Sequence, residues 1–294
     1  MMNWWKGLKG KIRFSEPLKE HTTFKIGGPA EFFVEPKDIR DLKSLINLKS
    51  RYKLPLLVLG AGSNILASDD GLKGIVVRLS SPFFKKVAFR KNSIEAGSGV
   101  ILSRVINLAK ERGLSGLEFM AGMPGTIGGA LMMNAGTSER SIADLVEKVT
   151  VIDYYNNVKT IGKEKIKFGY RKSSLTKFII LSVSLKLARK NKGKIKEEIA
   201  ERLNYRRLTQ DLTLPSAGCV FQNPKGGSAG RMIDLCGLKG SSIRGAVVSL
   251  KHANFIVNRS SARAKDILEL MDLARARVKK KFGVRLNPEI KIWQ

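Results

Sequence analysis

Two glycine-rich stretches have the composition to hold a large, flat, anionic ligand: Gly60-Ala61-Gly62-Ser63-Asn64 and Ala121-Gly122-Met123-Pro124-Gly125-Thr126-Ile127-Gly128-Gly129-Ala130. The first follows the apolar run Leu54-Pro55-Leu56-Leu57-Val58-Leu59, which reads as a buried strand. Glycine at such a point lets the backbone approach a ligand closely, and bared N–H groups bind phosphate oxygens. The second stretch is too rich in glycine to pack as an ordinary helix. With Met123, Ile127, Leu131, Met132 and Met133 it is also too apolar for a solvated linker. It suits a backbone laid against a flat ring. A glycine after a strand is most often only a turn, so neither stretch decides alone; the pair makes a nucleotide-type cofactor the leading reading. Metal chemistry has little to work with. Cys219, Cys236, His21 and His252 make no zinc spacing, and two cysteines make no disulfide framework.

The elements that must position these loops follow from apolar periodicity. Residues 30–34 read as a strand closed by Pro36, and Asp38 opens a helix with Ile39, Leu42, Leu45 and Ile46 on one face, ending near Arg51. Leu56 to Leu59 is the next strand, so the first glycine stretch ends a strand–helix–strand unit. Further strands are expected at 74–79, 93–96, 149–153 and 178–187. A helical stripe of Ile101, Val105, Leu108 and Ala109 stops at Gly113. The polar, basic residues 188–194 mark a change of composition and the expected domain boundary. Beyond it, Ile195, Ile199 and Leu203 mark a helix, and Ser228 caps a short one carrying Met232 and Ile233 and ending at Gly237. Strands are expected at 246–250 and 254–257. The last helix carries Ile267, Leu270, Met271, Ala274 and Val278, with lysines in its final turn, where the helix dipole favours them. The expected class is α+β, with an N-terminal segment 1–27, a cofactor-type part 28–190 and a smaller part 191–294.

A chain of 294 residues with 43% hydrophobic content can bury a core in two parts. No run approaches the ~18 apolar residues that span a bilayer. Met1-Met2-Asn3-Trp4-Trp5-Lys6-Gly7 is followed by no apolar signal core, which predicts a cytoplasmic protein. The charge is unusual: 54 Lys+Arg against 25 Asp+Glu, formally +29. Two readings stay open. One is a set of solvated faces biased toward lysine; the other is nucleic-acid binding. The basic residues are spread along the chain with short clusters only, and no RNA-binding aromatic motif accompanies them, so no specific nucleic-acid partner is expected.

Seven blocks together resemble the UDP-N-acetylenolpyruvoylglucosamine reductase family. They are residues 21–30 (HTTFKIGGPA), 60–64, 122–130, 168–173 (FGYRKS), 215–224 (PSAGCVFQNP), 251–258 (KHANFIVN) and 287–289 (NPE). They stand in the family's order over nearly the whole chain, which is far more specific than either glycine stretch. The resemblance implies a two-part FAD-binding domain of the vanillyl-alcohol-oxidase-like (PCMH) type with a smaller α+β substrate-binding domain. It implies reduction of the enolpyruvyl ether of UDP-N-acetylglucosamine to UDP-N-acetylmuramate with FAD and NADPH, a cytoplasmic step of peptidoglycan synthesis. A different flavoenzyme of the same fold would share the glycine stretches but leave the remaining blocks unexplained.

By that resemblance, non-covalent FAD is held by Gly60, Ala61, Gly62, Ser63 and Asn64 near its pyrophosphate. Gly122, Pro124, Gly125, Thr126, Gly128, Gly129 and Ala130 lie near its ring. Arg171 is the cation for the substrate carboxylate, on which charge grows as hydride arrives. The family's proton donor, commonly serine, falls on Cys219; a thiol is the stronger acid, with a reference pKa of ~8.5. Glu289 is the second catalytic group, and Tyr170, Gln222 and Asn223 are expected against the nucleotide. Arg171, Cys219 and Glu289 are expected to converge on the ring. No metal is called for. The interval between Leu175 and Arg189 leaves no room for the tyrosine-bearing loop of the family's longer subtype, which places this chain in the shorter one. A monomer is expected.

Overall fold

The computed structural model describes residues 5–294; Met1 to Trp4, part of the N-terminal stretch read above, lie outside them. The chain opens with β1 (Lys11–Pro17), β2 (Pro29–Glu35), helix α1 (Ile39–Arg51), β3 (Leu56–Leu59), β4 (Ile65–Ala67) and β5 (Leu72–Arg78). Strands β1, β2, β5 and β3 form one sheet in that order, and β3 runs parallel to β5. Asp38 starts α1 as the sequence requires: its carboxylate accepts from the N–H groups of Arg40 and Asp41 at 2.9 and 3.0 Å. Those bonds, with nearby Arg40 and Lys37, hold its pKa below the usual carboxylate value. Leu42, Leu45 and Ile46 face the core, as their spacing demands. Strand β3 is not buried throughout, however, for Val58 points to solvent.

The chain divides into two compact units. Of the described residues, the first comprises 5–14, 32–61 and 74–204. It contains β6 (Val87–Arg90), β7 (Ser93–Gly97), α2 (Leu102–Glu111), the short β8 (Leu114–Ser115) and α3 (Ile127–Met132). Then follow β9 (Val146–Ile152), β10 (Val158–Gly162), the two-residue strands β11 (Phe168–Gly169) and β12 (Lys172–Ser173), β13 (Ile179–Lys186) and β14 (Ala188–Arg189). An antiparallel sheet of order β10-β9-β13-β7-β6 forms its floor. Helix α2 lays Leu102, Val105, Ile106 and Ala109 into a core that also holds Ile94, Val149, Val183 and Leu185. The buried face is thus turned from the expected stripe: Ile101 precedes the helix and is half exposed, and Leu108 lies at the edge.

The second unit comprises residues 15–31, 62–73 and 205–294. Here β15 (Ser216–Cys219), β16 (Ser242–Ile243), β17 (Ala246–Val248) and β18 (Phe255–Asn258) form an antiparallel sheet of order β15-β18-β17-β16, and β19 (Lys291–Trp293) pairs parallel with β4. Helices α5 (Ala229–Leu235) and α6 (Ala264–Phe282) complete it. Ser228 caps α5 and Gly283, at φ 71°, ends α6 in the left-handed conformation that glycine adopts freely. Cys236 lies one residue beyond α5, half-buried against the core. The division differs from the expected 28–190 and 191–294. Residues 188–194 hold β14 and the start of α4 (Lys192–Thr209), and the last cut falls inside that helix, between Asn204 and Tyr205. In α4 Ile195 is fully buried and Ile199, partly buried, packs against the first unit's core, whereas Leu203 is exposed.

The start of α6 carries a buried carboxylate. Asp266 accepts the Arg263 N–H and the Arg244 guanidinium, both at 2.9 Å, while Asp69 accepts the Ala264 N–H at 2.9 Å. Burial pushes the Asp266 carboxyl upward, but these donors outweigh it and hold its pKa below the ordinary value. A carboxyl lowered in the folded state stabilises fully above its unfolded pKa and loses that contribution as pH falls through the folded one. Asp266→Asn is therefore expected to cost about 1–3 kcal/mol in denaturant unfolding at neutral pH. The gap to the parent should close below a pH of about 3.9, the unfolded aspartate value. Among the described residues no helix is long and apolar enough to cross a membrane.

Candidate active site

In the first unit the two glycine stretches meet. A Cβ added to Gly60 would stand 2.9 Å from the hydroxyl of Thr126, and that hydroxyl accepts the Gly129 N–H at 3.3 Å as the cap of α3. The second stretch is thus helical from Ile127 onward, contrary to the expectation that its glycines would forbid a helix. Thr126 supplies the cap, Ile127, Ala130 and Leu131 supply the buried face, and the glycines let the helix approach β7 closely. A Cβ on Gly128 would lie 2.9 Å from that of Ser98, and the Gly128 N–H donates to the Ser98 carbonyl at 2.9 Å. The hydroxyl of Ser98 is buried and has no hydrogen-bond partner in the structure. A buried hydroxyl without a partner is costly. A polar edge laid on this stretch would satisfy it.

In the second unit the rest of the first glycine stretch is equally tight. Gly62 sits at φ 66°, where a Cβ would collide with the carbonyl oxygen of His21, and its own carbonyl accepts the Thr23 N–H at 3.2 Å. The block around His21 therefore buttresses the turn, and His21 itself is held by Glu16 at 2.7 Å. Asn64 donates its side-chain amide to the Glu289 carbonyl at 3.2 Å, and its own carbonyl accepts the Lys291 N–H at 2.8 Å. Glu289 in turn donates its backbone N–H to the Val220 carbonyl at 2.8 Å, next to Cys219. Phe221 bridges Pro288, and the Gln222 N–H donates to the Asn287 carbonyl at 2.9 Å. Asn64, Val220 and Glu289, 225 residues apart at the extremes, are thus joined by hydrogen bonds, with Cys219 one residue before Val220 in the chain.

The remaining expected residues fall as follows. Arg171 is the second residue of the two-residue turn between β11 and β12, at φ 54°, with Nη1 donating to the Gly136 carbonyl at 2.9 Å. Tyr170, beside it, is half exposed and its ring lies 5.2 Å from the guanidinium carbon, so it is no core tyrosine. Asn223 uses its carbonyl oxygen on the Ala229 N–H at 3.0 Å; its amide hydrogens are the kind of donor a diphosphate needs. His252 accepts the Asn254 N–H at 3.3 Å and packs on Phe255; burial depresses its pKa and keeps it neutral at pH 7. Sequence reading passed over Arg206, in the last turn of α4. Its Nε is buried with no hydrogen-bond partner in the structure, burial depresses its pKa, and the nearby Cys219 opposes that shift. Nothing in an isolated arginine among 54 cations could have signalled it.

In the first unit, close backbone packing at Gly60 and Gly128, with the buried Ser98 hydroxyl wanting a partner, fits a dinucleotide carrying a flat ring. Comparison with known proteins agrees. Residues 30–161 match the FAD binding domain family, and residues 210–293 match the C-terminal domain of UDP-N-acetylenolpyruvoylglucosamine reductase. UDP-N-acetylenolpyruvoylglucosamine reductase 2 of Symbiobacterium thermophilum is 43% identical over 97% of this chain and 92% of its own. The Clostridioides difficile reductase is 40% identical over 97% and 94%. The crystal structure of the reductase from Thermus caldophilus superposes with a TM-score of 0.83 at 37% identity, covering 98% of this chain and all of that one. A solvent-stable cholesterol oxidase, 14% identical with a TM-score of 0.51 over 64% of this chain and 39% of its own, shares the fold alone. The fold is α+β, an FAD-binding domain of the PCMH type followed by the reductase family's own C-terminal domain, and the chain belongs to the UDP-N-acetylenolpyruvoylglucosamine reductase family of carbon–carbon double-bond oxidoreductases.

Proposed function

We propose that this chain reduces the enolpyruvyl ether of UDP-N-acetylglucosamine to UDP-N-acetylmuramate, in the cytoplasm and as a monomer, with FAD bound non-covalently and NADPH as electron donor. The reading is supported by the likeness to the reductase family over nearly the whole chain, together with the hydrogen bond from the Glu289 N–H to the carbonyl of Val220, the residue after Cys219. When bound, FAD supplies what no side chain can, a carrier that takes hydride from NADPH and gives it to one vinyl carbon. Residues 60–64 and 122–130 hold it by backbone N–H groups and close approach.

Each remaining residue has one task. Arg171 faces the enolpyruvyl carboxylate, where negative charge accumulates, and its planar fork suits a carboxylate better than lysine would. Cys219 delivers a proton to the other vinyl carbon, and the thiolate left behind is stabilised by the Arg206 guanidinium, whose charge it feels. Glu289 orients the intermediate and assists that proton delivery. Tyr170, Gln222 and Asn223 hold the nucleotide.

The test begins with colour. The purified protein should show flavin absorbance that NADPH bleaches anaerobically. The enolpyruvyl nucleotide should restore it, while hydroxy acids should not. Colourless protein, or recovery with hydroxy acids instead, refutes the assignment.

A further inference from the structure

We propose that Asn134 is a positioning residue for Arg171: its side-chain amide pins the Tyr170–Arg171 turn to the segment that leaves α3. The inference rests on the role given to Arg171 above. It starts from a mechanical difficulty. Strands β11 and β12 pair through only two residues each, Phe168 with Ser173 and Gly169 with Lys172. An isolated hairpin of that size does not hold its own shape. Packing holds only its base, where Phe168 lies against the core and Ser173 is buried, while Tyr170 at the turn is half exposed. Something outside the hairpin must keep the guanidinium in place.

Three hydrogen bonds do so, all from residues 132–136. Asn134 Nδ2 donates to the Gly169 carbonyl at 3.0 Å, one residue before the turn. Ser173 Oγ donates to the Met132 carbonyl at 3.1 Å, two residues beyond Arg171. Arg171 Nη1 donates to the Gly136 carbonyl at 2.9 Å. Asn134 is the one of these whose side chain is fixed at both ends, because its Oδ1 also accepts the Ala143 N–H at 3.3 Å. That second bond settles which way the amide faces. Asn134 is buried and sits at φ 43°, a left-handed conformation that asparagine tolerates better than most residues with a side chain. An aspartate would keep the shape and the Ala143 bond but present an acceptor to the Gly169 carbonyl. The same short segment continues α3, whose first turn belongs to the glycine cradle, so the cradle and the guanidinium share one support in the first unit.

Two variants separate the amide from the backbone. Asn134→Gly removes the side chain and relieves the left-handed conformation; Asn134→Asp keeps the shape but replaces the donor with a carboxylate oxygen and adds a buried negative charge. In flavin-loaded enzyme, both are expected to slow nucleotide-dependent recovery of the flavin absorbance by about 10- to 100-fold, the cost of a small misplacement. Bleaching by NADPH should stay within about twofold, since a positioning effect on Arg171 does not touch that step. Nucleotide affinity, read by calorimetric titration of the resting enzyme, should weaken as well. Placed in an Arg171→Gln background, neither variant should lower rate or affinity further, because residues acting through one group are non-additive. Multiplied losses in the double variants would leave the role of Arg171 standing and overturn that of Asn134 alone. An unimpaired nucleotide step in Arg171→Gln itself would refute the role of Arg171 and the inference with it. If the Asn134 variants lose flavin or fold, Ser173→Ala, which cuts the neighbouring anchor, is read by the same double-variant comparison and decides the matter.

Discussion

Cys219→Ala is expected to leave bleaching of the flavin by NADPH nearly intact while lowering turnover of the enolpyruvyl nucleotide by about 10²- to 10⁴-fold, the range that a positioned general acid contributes. The separation follows from the proposed role of the thiol: hydride delivery to the cofactor would need no proton from Cys219, whereas completing the reduced product would. Alanine keeps a small side chain at the end of β15 and leaves the pairing of Cys219 with Phe255, a backbone interaction, in place. Equal loss of both half-reactions would mark a folding defect or a mistaken assignment. Cys219→Ser is the informative companion. A hydroxyl is a far weaker acid, so the serine variant should turn over more slowly than the parent but faster than alanine. It should also resist the inactivation by iodoacetamide expected of the parent, since a hydroxyl lacks the thiol's reactivity. Cys236, packed against the core beyond α5, supplies the internal reference of an ordinary half-buried thiol.

What the sequence made legible is what local chemistry decides. Asp38 before an apolar stripe and Ser228 before another each mark a helix start where the backbone's unpaired N–H groups must be satisfied, and the structure places caps there. The helix at Ile127 was hidden for the converse reason. Intrinsic propensity counts its glycines as a penalty, whereas tertiary packing against Ser98 requires them. Val58 and Ile101 are apolar residues at the edges of elements, and periodicity alone does not say which edge faces water. The break in composition at 188–194 records surface polarity; compactness is decided by what packs on what, and cuts α4 instead. The site shows the same split. Its glycines and its block residues could be read one by one, while Asn134 is tied to Gly169, 35 residues away, and Arg206 feels Cys219, 13 residues away, which no local pattern encodes.

Replacement of Arg171 gives the second large effect, and its shape identifies the task. Arg171→Gln is expected to lower kcat for the nucleotide by about 10²- to 10³-fold, the loss typical of one preorganised group aimed at developing charge. KM should rise less than kcat falls. The reason is that the carboxylate is already an anion in the ground state, but the charge it shares with the forming carbanion is greatest at the transition state, so part of the interaction exists only there. Lysine restores the charge without the fork, and one point charge cannot reproduce two parallel N–H donors; Arg171→Lys should recover no more than about a tenth of the parent rate, one lost factor of about 1.4 kcal/mol. Backbone strain can be separated from this. The residue sits at φ 54°, which costs any side chain and costs glycine nothing. Arg171→Gly therefore relaxes the turn while deleting the guanidinium. If the arginine served mainly to shape the hairpin, through its bond to the Gly136 carbonyl, the glycine variant would fold at least as well and keep its activity. If it serves the carboxylate, the glycine variant should be as stable as the parent and as slow as glutamine, and it is this pairing of undiminished stability with lost rate that a structural role cannot produce.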